Sequence, residues 1–164
     1  MAKAHTKPKH KSKVKPLRPR FTKEVSVMAW IEDRDHRVLF VRQAAGMRLW
    51  TLPGGKVKRG ESLLKATLRE VSEEVGARIQ IGSLLGALDR HDKDAITFLF
   101  AAVLGQRNDK LKSRRREIKK VAFQSALPKK SSPSALYFWS ARRGLVGKQK
   151  IPTVPASTYQ LADK

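Results

Sequence analysis

The stretch that decides the fold is residues 54–77, "GGKVKRGESLLKATLREVSEEVGA". The 164-residue chain carries 36 Lys and Arg against 14 Asp and Glu, a formal net charge of +22. Four of those 14 acids lie in this stretch, and Glu70, Glu73 and Glu74 crowd together. The spacing predicts a helix over 61–75, with Leu64, Leu68, Val71 and Val75 as its apolar stripe and Gly76 as its stop. Glu70, Glu73 and Glu74 stand at i, i+3 and i+4 on one face. That face is expected about 120° from the stripe and clear of the core.

Like charges at this spacing repel by roughly 0.2–0.5 kcal/mol per pair on an exposed helix. A cation offsets that repulsion. Ligands that are all oxygen suit a hard ion, Mg²⁺ or Mn²⁺. Arg69, four residues before Glu73, is placed to hold a neighbouring carboxylate. The glycines ahead of the helix let backbone approach a metal or phosphate closely. The spacing does not match a phosphate-binding P-loop, which also requires Lys-Ser/Thr. The plain alternative is a solvated helix face with incidental glutamates.

Upstream, 24–31 alternates as a strand, 32–37 is a polar turn and 38–43 completes a hairpin. Residues 49–55 read as one short strand stopped by Pro53 and the glycines. Downstream, 77–88 reads as a bent strand, 95–105 as an apolar strand, 106–116 as a basic loop and 117–124 as a strand. In 131–144 a serine cap, Pro133 and Gly144 bracket a second helix. Strands outnumber helices and several connections are tight, which indicates a mixed α+β class.

Three parts are expected: a basic arm over 1–20, one domain over 21–144 and a loosely ordered tail over 145–164. The arm has eight Lys or Arg, no acid and three prolines, and cannot bury enough apolar surface to fold alone. It reads either as a solubilising or localising tail or as a contact for RNA or another polyanion. Cysteine is absent, which excludes disulfides and thiolate chemistry and fits a reducing, cytoplasmic setting. Nuclear or organellar targeting by the arm stands as the alternative. No apolar run reaches the ~18 residues of a spanning helix. The charge balance favours an anionic partner.

Residues 55–77 resemble the signature of the Nudix hydrolases, G-x5-E-x7-R-E-U-x-E-E-x-G-U, with U a bulky aliphatic. Gly55, Glu61, Arg69, Glu70, Glu73, Glu74 and Gly76 occupy its fixed positions, and Ala77 is smaller than the usual final aliphatic. "WTLPGG" and "EIKKVAFQSALP" resemble the family's flanking strands. The resemblance implies a Nudix fold, with a mixed β-sheet sandwiched between helices (α/β/α). It also implies hydrolysis of a pyrophosphate in a nucleoside diphosphate-linked substrate, by water attack at phosphorus.

The resemblance further implies that Glu70, Glu73, Glu74 and the Gly54 backbone carbonyl ligate Mg²⁺, with Mn²⁺ as substitute. Glu70 would also orient the water, and Glu61 and Arg69 would position the glutamates. The implied catalytic set is Glu70, Glu74, Arg69 and Glu117, the last with an ion pair to Arg114–Arg116 as its plain alternative. Arg42, Arg48, Lys56 and Trp50 are candidates to bind substrate. The proline and tyrosine that mark relatives acting on ADP-ribose and diadenosine polyphosphates are absent. The alternatives are an RNA 5′ end or a diphosphoinositol polyphosphate as substrate, or a non-catalytic RNA-binding protein on the same fold.

Overall fold

The computed structural model describes residues 22–105, 111–113 and 115–144. The expected arm, the expected tail and part of the basic loop lie outside the described residues. The elements run β1 (Glu24–Ile31), β2 (Val38–Gln43), β3 (Trp50–Thr51), β4 (Gly54–Lys56), α1 (Leu63–Val75), β5 (Ile79–Arg90), β6 (Ala95–Leu104), β7 (Ile118–Gln124) and α2 (Pro133–Arg142). A single 3-10 turn, His91–Lys93, joins β5 to β6.

The strands form two sheets, ordered β4-β1-β6-β5 and β3-β2-β7. β1 runs parallel to β6 and antiparallel to β4, so the first sheet is mixed. The class is α+β, as the sequence indicates. β1 and β2, however, are not a hairpin. Their ladder pairing, among the described residues, is confined to the Glu32–Val38 bridge, after which they part into different sheets. Both edges of β1 are already taken, by β6 and β4, which leaves none for β2. The turn itself is well built, because the Asp33 carboxylate accepts from the N–H groups of Asp35 and Arg37 at 3.0 and 2.8 Å.

The strand expected over 49–55 is two strands. β3 pairs with β2 and β4 pairs with β1. The chain therefore leaves one sheet and enters the other at Leu52–Pro53, where proline cannot donate to either ladder.

Alternation along β1 and β2 feeds two cores. Ala29, Ile31, Leu39 and Val41 pack with Val71 and Val75 of α1. Trp30, Val38 and Phe40 pack with Ala135, Phe138 and Trp139 of α2. The strands thus lie between the two helices, which explains why the first four residues of β2, Val38 to Val41, are all apolar and buried. Burying each of these large side chains contributes roughly 1.5–3 kcal/mol. Among the described residues, no helix is long and apolar enough to cross a membrane.

α1 is rotated from the expected placement. Ser62 caps it, accepting from the Lys65 N–H, and Gly76 ends it in the left-handed conformation. Its buried face comprises Ala66, Thr67, Glu70, Val71, Glu74 and Val75. Leu68, expected in the core, is 44% exposed. Glu70 and Glu74, expected clear of the core, are only 3% and 7% exposed. The Leu/Val stripe marks one flank of the buried face, and the two carboxylates lie nearer its centre.

Candidate active site

The carboxylates can lie inward because the strand beneath them begins with two glycines. A Cβ on Gly55 of β4 would stand 2.5 Å from the Glu70 carboxyl carbon. Glycine at this position gives the carboxylate its room. Beside it, the Gly54 N–H donates to Glu74 Oε2 at 2.9 Å.

Two arginines answer the buried charge. Arg69 is fully committed. It donates through Nε and Nη2 to both oxygens of Glu61 at 2.7 and 2.8 Å, through Nη2 to the Lys56 carbonyl at 3.0 Å, and through Nη1 to Glu70 Oε1 at 2.5 Å. Glu61 also accepts from the Lys58 N–H at 2.9 Å. The Arg69 fork and that N–H hold the Glu61 carboxyl down at about 2, and the bonds to Glu61 and Glu70 raise Arg69. Arg115, just ahead of β7, reaches across to α1. Its Nη2 donates to Glu73 Oε2, and its Nη1 lies 3.0 Å from Glu70 Oε2. The second contact is misaligned, so that buried oxygen accepts no hydrogen bond.

Glu74 faces a cleft of about 450 Å³. Burial pushes its carboxyl up to about 7, with the charges of Glu70 and Glu117 adding to the rise and the Gly54 N–H and Arg115 opposing it. The cleft is lined by Met28, Gly54, Ile118, Gln43, Glu117 and Arg90, together with Ser132–Ser134 at the start of α2. Ser132 caps α2 and also donates to the Thr51 hydroxyl at 3.1 Å, which ties the helix to β3.

Of the residues singled out from sequence, Glu61, Arg69, Glu70 and Glu73 form one linked network, and Gly54 holds Glu74 beside it. Glu117 shares the cleft with Glu74, and among the described residues it makes no ion pair. Arg42, Arg48, Lys56 and Trp50 do not line the cleft. The Arg42 Nε is buried without a hydrogen-bond partner, Arg48 is exposed in a turn, and Lys56 pairs with Glu24 at 2.5 Å. Trp50 packs against the α2-side core. Arg115, Gln43 and Ser134 are what sequence reading missed. The run "SRRR" announced positive charge near this point. Nothing in it distinguished Arg115 from its neighbours.

The donor set suits a hard cation: every candidate atom is oxygen, and the buried Glu70 Oε2 accepts no hydrogen bond. Among the described residues, no three acids converge as a ready-made cage. Glu74 is turned to Gly54, Glu73 to Arg115 and Glu70 to Arg69.

The family model described as "NUDIX domain" matches residues 22–138. Among curated proteins, "Diphosphoinositol polyphosphate phosphohydrolase 2" of Rattus norvegicus is 30% identical over 80 residues, 49% of this chain and 45% of that one. "m7GpppN-mRNA hydrolase NUDT17" of Xenopus laevis is 38% identical over 61 residues, 35% of this chain and 21% of that one. The chain thus covers under half the length of either relative. Among solved structures, a "NUDIX hydrolase from Nitrosomonas europaea" superposes with a TM-score of 0.66 at 22% identity, covering 85% of this chain and 97% of that one. That likeness is one of fold.

Proposed function

This chain belongs to the Nudix family, and on that premise we propose that it hydrolyses the pyrophosphate of a nucleotide-type substrate with the help of Mg²⁺ or Mn²⁺. The observation that carries the proposal is the burial of Glu70 and Glu74 against β4, with Glu74 opening onto the cleft. Two buried carboxylates in so basic a chain need a reason, and oxygen ligation of a hard cation supplies one. Glu70, Glu73, Glu74 and the Gly54 carbonyl are the residues that would hold it. Once bound, such an ion would neutralise pyrophosphate charge and acidify a water.

The chain's own groups do the rest. Arg69 and Glu61 fix the Glu70 carboxylate in direction, so it is pre-set to orient a water. Glu74 and Glu117 place two further carboxylates on the cleft wall, either of which is positioned to take a proton. Gln43, Arg90 and Ser134, with apolar Met28 and Ile118, give the cleft the mixed lining that suits a nucleoside-sized group.

A second reading, a more densely anionic substrate, draws on what the frog and rat relatives are named for: capped mRNA and diphosphoinositol polyphosphates. One screen separates the two. The full chain is incubated with Mg²⁺ and nucleoside triphosphates, nucleotide sugars, dinucleoside polyphosphates, capped RNA or inositol pyrophosphates, and phosphate release is measured. Turnover is expected in the nucleotide arms, and Glu73→Gln is expected to lower it by about a hundredfold or more. Turnover confined to capped RNA or inositol pyrophosphates supports the second reading. Silence in every arm supports a non-catalytic binding protein, and an undiminished Glu73→Gln variant removes the metal-site assignment.

A further inference from the structure

Arg69 and Arg115 contact the same carboxylates but are held very differently. Arg69 spends its fork on Glu61 and the Lys56 carbonyl as well as Glu70, so all three of its nitrogens are held. Arg115 is anchored through its backbone. Its N–H donates to Ser113 Oγ at 3.0 Å, and its carbonyl accepts from Ser113 Oγ at 3.1 Å and from the Ile118 N–H at 3.2 Å. Among the described residues, its side chain has only Glu70 and Glu73 as ion-pair partners. Its side chain is about one-third exposed, and its contact with Glu70 is misaligned. A cation with a hydrogen-bonded root, a partly exposed side chain and one misaligned contact is one that can be exchanged.

We infer that Arg115 is a resident counter-cation of the α1 carboxylates, which yields them to a divalent ion and then grips the phosphate bound beside that ion. The inference rests on the reading of α1 as a metal site. Charge arithmetic favours the exchange. Glu70, Glu73 and Glu74 concentrate negative charge, one guanidinium offsets a single unit, and a divalent ion offsets two. Displaced, Arg115 stays rooted beside the carboxylates through its backbone bonds to Ser113 and Ile118, which leaves its head free for a phosphate held by the same ion. Its planar fork matches phosphate geometry better than an ammonium would. Two consequences are coupled: Arg115 opposes binding of the ion alone and favours binding of the anion that follows.

The test uses the full chain, with Mn²⁺ binding read by electron paramagnetic resonance and titration calorimetry. Arg115→Gln is expected to bind Mn²⁺ alone about tenfold more tightly than wild type, and imidodiphosphate, at saturating Mn²⁺, about tenfold more weakly. Arg115→Lys keeps the charge without the fork, so it should restore most of the Mn²⁺ effect and little of the imidodiphosphate effect. Glu73→Gln is the control for the site. If it weakens Mn²⁺ binding while Arg115→Gln changes neither affinity, the exchange is overturned and the metal site stands. If neither wild type nor Arg115→Gln binds Mn²⁺, the metal site falls and takes the exchange with it. Tighter Mn²⁺ binding with unchanged imidodiphosphate binding overturns the hand-over to phosphate.

Discussion

Arg69 satisfies three groups at once, and no single smaller residue can do the same. Glu70 is almost wholly buried, so loss of the arginine leaves its charge without its best-aligned partner. Arg69→Met should destabilise the fold by about 2–3 kcal/mol in urea unfolding, and Arg69→Lys should recover only a minor part. Glu74 gives a pH signature of opposite sign to Glu61. Its folded-state carboxyl is raised from 4.5 to about 7, so its stabilising contribution is complete below about pH 4.5 and fades as pH rises through 7. In chelator, the unfolding free energy should therefore fall between about pH 4.5 and 7, by on the order of 3 kcal/mol, and Glu74→Gln should flatten that fall. Glu61 is depressed to about 2, so its contribution is present above 4.5 and is lost as pH drops through 2.

At the scale of elements, the orientation of α1 is the sharpest check. Leu68→Ala should cost less than about 0.5 kcal/mol, and Val71→Ala roughly 2 kcal/mol. Equal costs in chemical denaturation would restore the stripe expected from periodicity. Sequence reading found the elements and their order because caps, prolines and period-two alternation are local signals: Ser62 and Gly76 bound α1, and Ser132 and Pro133 start α2. Sheet membership was hidden. Whether β2 pairs with β1 depends on distant strands having already claimed the edges of β1, β6 on one side and β4 on the other. The face of α1 was hidden for a similar reason. Periodicity places Leu64, Val71 and Val75 together, but only the bare backbone of Gly54 and Gly55 across the gap makes a carboxylate acceptable at the centre of the buried face. The fixed spacing of Glu70, Glu73 and Glu74 was legible because it is chemistry written within one helix. Arg115 was not, because it arrives from another part of the chain.

At the scale of the whole molecule, a net charge of +22 is far more than one cleft requires. Residues 1–20 are the natural place to look for a second role. Their deletion should lower the salt slope of RNA binding by several units while leaving metal-dependent phosphate release unchanged. An unaltered slope would assign RNA contact to the domain itself. The passage of the chain from β3 to β4 at Leu52–Pro53 has a consequence for assembly. Gly54 becomes part of the site only when β4 lies against β1, β1 is set in the sheet by β6, and Arg115 meets Glu73 across 42 residues. These are contacts of high sequence separation, which close large loops before they contribute any free energy. A peptide of residues 54–77 would carry the whole signature and none of the site. The glutamates become a chemical group only where the two sheets bring β4 and Arg115 to α1.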